Sequence, residues 1–462
     1  MPKKFSCTYL THLCICLLLT ATMLFIADTE IAGFPAYTLI LFLIVLTWLV
    51  CRVVYAGRAG QAFLSIHYFA DTVSAAAIVC AVCSAIGKLF RNPDGGAIDF
   101  SWNAEIIALA LICLLVSAGI QFRPLYLDLI LYSSLLVSGI FMLTYFVDMD
   151  IWDRANAVFA DSGIMASYFM LVSMIGVYGY CVNRDRLRSA FYLFAAGIAF
   201  LALFLNKNVI SLWLMVIYFL AVPVVLCPTA ALVKRVTQAF FLYGFMLSNM
   251  SLLTEYTQIL CKDISYAPEL SVYLDLLMAA GGIAFVRYWD RVPENVDRER
   301  LVLRRMQKKY RFLLKMTLAL FIVIIFGGSG WNEFPKETGV LPGMLGLLAA
   351  PLAGEAGRGK SGFLYCFQNM GVASGLFLIF YLLVLSERMR VNYREEKTLT
   401  NILILVSVLF MLQMLFWNPG IHNTAVYFFL LAAASFHQEE YRQAMGVRVN
   451  AADLLMEIQE IK

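Results

Sequence analysis

The sequence predicts an all-α polytopic integral membrane protein with about fourteen transmembrane helices and one large outer loop between the eleventh and twelfth. Three observations carry this prediction. Apolar residues make up 61% of the 462-residue chain and charged residues only 14%, and the mean hydropathy is +0.78, more than a water-soluble core absorbs. The apolar residues fall into runs close to the roughly 20 residues that a helix needs to cross a hydrocarbon layer about 30 Å thick. The charges collect between these runs. In lipid each backbone amide must be paired within its own segment or its own barrel, and the runs are far too long for barrel strands.

The whole of 1–462 reads as a single membrane domain. Its first run, 7–27, is a span and not a secretion signal, because no small-residue cleavage site follows it before the next run. Further spans are expected at 36–51, 68–87, 104–121, 127–147, 164–182, 189–205 and 209–227. A run at 238–260 is interrupted by Ser248-Asn249, and 271–288 follows it. The run at 316–328 is short, and the last three lie at 370–386, 400–417 and 423–437.

This count of spans sorts the basic residues to one side. With a cytoplasmic N-terminus, 27 of the 35 Lys and Arg fall inside and 8 outside. Short basic loops resist translocation, so the bias supports an even number of crossings with both termini in the cytoplasm. It also accounts for the net charge of +4 as a topology signal, so nucleic-acid binding is not indicated. Cys14, Cys16, Cys80, Cys83 and Cys113 lie inside apolar runs and act there as small apolar side chains. The Cys80–Cys83 spacing lacks the second pair or nearby His of a metal site. His12, His67, His422 and His437 are likewise scattered.

Two segments outside the spans stand out. The cytoplasmic stretch 287–315 interleaves Arg298, Arg300, Arg304, Arg305, Lys308 and Lys309 with Leu301, Leu303 and Met306. It reads as a basic interfacial segment facing anionic lipid headgroups, or as a topology anchor alone. The outer loop 328–369 opens on Gly327, Gly328, Ser329 and Gly330, and its 340–353 part is apolar enough to form an interfacial helix. Gly354, Gly357, Gly359 and Gly362 then punctuate a turn-rich stretch. Gly354, Gly359, Lys360 and Ser361 meet the spacing of a phosphate loop, but that loop joins a buried strand to a helix beside a cytoplasmic nucleotide, and here it stands outside.

The basic residues on the outer side run against the orientation bias: Lys88, Arg91, Arg154, Lys207, Lys262, Lys336, Arg358 and Lys360. Lys207 sits in the three-residue turn Asn206-Lys207-Asn208 between two apolar helices. Its ammonium must either snorkel to the interface or enter a polar cavity.

Over roughly 161–381 the chain resembles the bacterial O-antigen ligase and O-antigen polymerase superfamily, polytopic enzymes with one large outer loop in the C-terminal third. The matching stretches begin with Asp161-Ser162-Gly163-Ile164-Met165-Ala166, a turn and small-residue helix start. They continue with Leu205-Asn206-Lys207-Asn208, in place of a Ser-Arg-Gly-like turn, and then Lys336 followed by Pro351-Leu352-Ala353-Gly354-Glu355-Ala356-Gly357. Last comes Lys360-Ser361-Gly362-Phe363-Leu364 with Met370-Gly371-Val372-Ala373-Ser374-Gly375-Leu376. Lys207, Lys336 and Lys360 stand where the family has Arg, Arg and His. Positive charge is kept, but Lys lacks the bidentate fork of Arg and is a poor proton acceptor unless desolvated.

The resemblance implies a glycosyltransferase that ligates or polymerises glycan from a polyprenyl-pyrophosphate-linked donor, at the outer face of the bacterial cytoplasmic membrane. Lys207, Lys336, Arg358 and Lys360 would bind the donor pyrophosphate, with Gly357 and Gly359 letting backbone approach the anion. Glu337, Glu355 and Asp161, together with His422 as an outer-face base or a helix cap, are the candidate catalytic groups. The expected partners are the lipid-linked glycan and membrane lipid. No cofactor or metal is needed, because the pyrophosphate is already a good leaving group. Two rivals remain at this level: a flippase for a lipid-linked oligosaccharide, and a non-catalytic relative of the enzyme. A flippase would show two similar halves and charges facing a central cavity. This chain has no evident internal repeat, few mid-span charges beyond Asp71, Glu255 and Asp275, and one dominant outer loop.

Overall fold

The computed structural model describes residues 7–24, 30–31, 34–59, 68–91, 124–147, 162–183, 185–206, 208–226, 230–257, 296–327 and 399–414. It also describes helical positions at 103, 107, 110–112, 276, 279–285 and 287. Ten helices are traced among the described residues: α1 (Cys7–Leu24), α2 (Ala36–Ala59), α3 (Tyr68–Arg91), α4 (Pro124–Val147), α5 (Ser162–Val182), α6 (Arg186–Leu205), α7 (Val209–Val225), α8 (Ala230–Thr257), α9 (Val296–Gly327) and α10 (Leu399–Met414). One small antiparallel pairing, β1 (Glu30–Ile31) with β2 (Phe34–Pro35), turns the chain between α1 and α2.

The helices begin and end for local reasons. Pro124 opens α4, where a missing amide proton costs nothing and φ is already set for a helix. Asp185 caps α6, its carboxylate accepting from the Leu187 amide at 3.2 Å. Pro223 falls in the last turn of α7, and the helix stops two residues later. Asn208 caps the start of α7.

The core centres on α5. Met165 to Gly179 are buried without interruption, because α4, α6, α7, α8 and α10 all pack around this helix. A helix apolar all round is sheltered on every side. Its closest partner is α6, with which it forms an antiparallel hairpin. Gly176 and Gly179 make the approach possible: a Cβ on Gly176 would meet the Ala196 Cβ at 2.9 Å, and one on Gly179 would meet the Tyr192 ring at 2.5 Å. Small residues that let helix backbones close up are the usual device where water supplies no hydrophobic drive.

The periphery is apolar too. On α4, Leu125, Tyr132, Leu136 and Ile140 form an exposed stripe, and on α9 Phe312, Leu313, Met316, Leu320 and Ile322 are exposed. Such surface is a liability in water and ordinary against lipid chains. Among the described residues, three helical stretches, Leu125–Met142, Gly163–Val182 and Arg186–Leu205, are long and apolar enough to cross a membrane, and shorter apolar stretches include Ile210–Val225 and Asn401–Met414.

Two elements differ from their sequence expectation. The Ser248-Asn249 interruption does not break α8, which runs on to Thr257, since two polar residues cost a helix little in propensity. The 296–315 part of the basic stretch and nearly all of the short apolar run at 316–328 belong to one 32-residue helix, α9, about 48 Å long at 1.5 Å per residue. Its basic half packs on the start of α8, with Leu303, Val302, Met306 and Tyr310 around Val233. The expected spans at 370–386 and 423–437 and the outer loop 328–369 lie outside the described residues.

Candidate functional site: two polar ends of one helical bundle

Apart from mid-bundle bonds such as that from the Tyr218 hydroxyl of α7 to the Met174 carbonyl of α5 at 2.7 Å, many of the described hydrogen bonds between helices fall at two opposite ends. At the first end the groups are charged. Asp128, near the start of α4, accepts from Arg188 at 3.3 Å and from the Tyr192 hydroxyl, both on α6. Nearby on the same end, His12 of α1 hydrogen-bonds the Tyr126 hydroxyl. Arg235 of α8 donates to the carbonyls that close α5: Tyr180 at 3.0 Å, Cys181 at 3.5 Å, and Asn183 beyond. Its guanidinium also lies 5.7 Å from the Tyr180 ring centroid, and the Tyr180 hydroxyl donates to Gln238 at 2.8 Å. A cation on the last carbonyls answers both their missing partners and the negative end of the helix dipole. On α9, Gln307 reaches the Val224 carbonyl at 3.4 Å and Tyr310 stands 3.5 Å from the Thr237 hydroxyl. Burial pushes the Tyr310 phenol up, which keeps it neutral.

The other end is lined by neutral amides and hydroxyls. Asn206 terminates α6, its amide N–H bonded to the Ala202 carbonyl. Asn208 begins α7, its Oδ1 accepting from the Ser211 amide at 3.0 Å and the Ser211 hydroxyl at 3.1 Å. From the last turn of α10, Gln413 donates through Nε2 to Ser211 Oγ at 2.9 Å. That bond places the end of α10 on the start of α7, so α10 runs from the charged end to the amide end. Ser211 and Gln413 have no exposed surface, and Asn206 and Asn208 keep 8% and 7%. Asn206 Oδ1 and Gln413 Oε1 are buried and have no hydrogen-bond partner among the described residues. An unmet buried acceptor costs about 1 to 3 kcal/mol, and the same condition holds for Tyr168 and Ser173 on α5 and for Asn401 and Ser407 on α10.

All eight site residues expected from the sequence, Lys207, Lys336, Arg358, Lys360, Glu337, Glu355, Asp161 and His422, lie outside the described residues. Lys207 is flanked by the described Asn206 and Asn208, and Asp161 directly precedes α5. The charged cluster around Asp128 and the amides at Ser211 and Gln413 were not singled out from the sequence. Their signal was there: Gln413 and Ser211 are polar residues inside apolar runs, which seldom sit in a bilayer without a partner or a task. Cys80 and Cys83 are free thiols on α3.

The fold and its two polar ends define an all-α membrane protein. No known protein family, curated protein or solved structure matches the chain.

Proposed function

We propose that this chain is a membrane glycosyltransferase of about fourteen helices that ligates or polymerises glycan from a polyprenyl-pyrophosphate-linked donor at the outer face of a bacterial cytoplasmic membrane, with both termini inside. The observation that carries the reading is the sorting of the bundle's ends. Arg186, Arg188, Lys234 and Arg235 belong to one end, with the Arg304, Arg305, Lys308 and Lys309 run of α9 beside it, which is the pattern of a cytoplasmic face. The opposite end, then outside, holds a buried amide and hydroxyl cluster on both sides of Lys207. A lipid-linked sugar would be presented at that level of the membrane.

The chemistry follows from the donor. The acceptor hydroxyl attacks the anomeric carbon, a new C–O bond forms, and the bond to the pyrophosphate oxygen breaks with its electron pair leaving on polyprenyl pyrophosphate. Negative charge grows on that leaving group, where Lys207, Lys336, Arg358 and Lys360 would stabilise it. The hydroxyl proton passes to one of Glu337, Glu355, Asp161 or His422.

The test is transfer from a polyprenyl-pyrophosphate-linked donor by purified protein in liposomes, with single Ala variants at the four cations. Each charge-assisted contact contributes about 1.5 to 3 kcal/mol, so each variant is expected to lose roughly tenfold or more. Full activity in all four variants overturns the site. A wild-type protein that moves donor between leaflets without transferring sugar is a flippase instead.

A further inference from the structure

We infer that the exposed cations of α9 bind an anionic phospholipid at the charged end of the bundle, with Lys308, Arg311 and Lys315 on its phosphate and its acyl chains on the apolar surface that follows. The inference rests on the membrane class and not on the glycan-transfer reading. From the sequence the basic stretch is either a lipid-facing segment or an orientation signal, and the packing of α9 distinguishes the two.

α9 stands against the bundle and does not lie flat on its end. Val302, Leu303, Met306 and Tyr310 pack about Val233 of α8, and Leu314, Leu318 and Phe321 carry the same face on to the main core. Its level is set by Gln307, which donates to the Val224 carbonyl in the last turn of α7 at 3.4 Å. Tyr310, nearly one turn on, stands against Thr237 of α8. Position 307 is therefore level with the helix ends, and α9 runs inward from there.

Arg304, Lys308, Arg311 and Lys315 are spaced four, three and four residues apart, so they share one stripe of the helix. All four are exposed, and no ion pair to a described residue answers any of them. At 1.5 Å per residue, Arg304 lies about 4.5 Å outside the level of Gln307, and Arg311 and Lys315 lie about 6 and 12 Å inside it. Beside them Phe312, Met316 and Leu320 are exposed, and Ile322, two turns after Lys315, puts an apolar group on the stripe itself. The backbone of Arg311 and Lys315 is thus already among surface suited to hydrocarbon chains. Their charges reach back to the headgroups along apolar stems. The helix direction favours this, because α9 starts at the charged end and helical side chains lean toward the N-terminus.

The occupant follows from both halves of this surface. A soluble anion or an acidic peptide would answer the cations and leave the apolar turns uncovered. An anionic phospholipid answers both, its phosphate oxygens accepting charge-assisted hydrogen bonds and its chains covering Met316, Leu320 and Ile322. A zwitterionic lipid brings a cation of its own and gains less from the stripe.

The experiment titrates the full-length protein in detergent with phosphatidylglycerol, phosphatidylcholine and glycerol phosphate, and counts bound molecules by native mass spectrometry. Orientation in the membrane is already settled at that stage, so an orientation signal alone gives no lipid preference. The variants are Arg311→Gln, Lys315→Gln, the two combined, and Arg311→Lys. Arg186→Gln is the control, an exposed cation at the same end but on α6. Gln is a good helix former and the replaced side chains are exposed, so the fold is kept. Each single Gln variant on α9 is expected to weaken phosphatidylglycerol about fivefold and the double about twentyfold, with phosphatidylcholine unchanged. Arg311→Lys and Arg186→Gln should stay near the wild-type value. Equal binding of the two lipids by the wild type overturns the site, as does a double variant that keeps the preference. A loss in Arg186→Gln as large as that in Arg311→Gln overturns it too, by showing a general effect of charge. Glycerol phosphate bound as tightly as the lipid overturns the lipid assignment in favour of a soluble anion.

Discussion

Asp128 shows how a single residue carries more than its position in the sequence announces. It lies four residues after Pro124, at the edge of an apolar run, where a carboxylate reads as an ordinary interfacial residue. In the fold its side chain is 10% exposed and is answered by Tyr192 and by Arg188, itself 57% exposed. The tyrosine bond is the sheltered one. Tyr192→Phe is expected to lower stability by about 1.5 to 3 kcal/mol, the range for a hydrogen bond to a charged group. Unfolding in detergent of Tyr192→Phe, Asp128→Asn and the double variant measures it, and additive losses would show that the pair is not coupled. Arg188→Ala should cost less, because an exposed guanidinium is screened by water. Gln413 was equally hard to single out, since its task appears only when α10 is laid against α7.

Among elements, the α5–α6 hairpin is where sequence and packing meet most tightly. Periodic apolar content was enough to locate both helices within a few residues, because length and hydropathy alone define a span. What it left out is the contact that Gly176 and Gly179 permit. Gly179→Ala would drive a Cβ into the Tyr192 ring, which is held by Asp128, so the loss should be on the order of 1 to 3 kcal/mol. Gly139 of α4 is the control, since a Cβ there meets nothing within 4 Å. Gly139→Ala should raise stability by about 0.5 to 1 kcal/mol through helix propensity. Melting temperatures moving in opposite directions would support this packing; two equal shifts would refute it. The continuous α9 escaped the sequence reading for a physical reason. Hydropathy rises sharply after Lys315 while helix propensity changes little, as Arg, Lys, Leu and Met are all good helix formers. A reading by hydropathy divides what the backbone joins.

For the molecule as a whole, the sequence made legible the all-helical membrane class and the sorting of charge. It did not reveal that the end opposite the Asp128 cluster carries its own buried amide and hydroxyl groups. These groups come from helices distant in sequence, Asn208 and Ser211 on one side and Gln413 some 200 residues away on the other, so no local pattern encodes them. The four cations were legible as outer-side basic residues against the charge bias and through a resemblance, their candidate acid–base partners by location, and their role depends on which face the amide end occupies. The central claim is that this end works outside the cell membrane. It is tested by placing single cysteines at Lys207 and Lys308 in a cysteine-free background and labelling intact cells with a membrane-impermeant maleimide. The account predicts labelling at 207 from outside and at 308 only after permeabilisation; labelling at 308 in intact cells, with 207 protected until the membrane is opened, would contradict it.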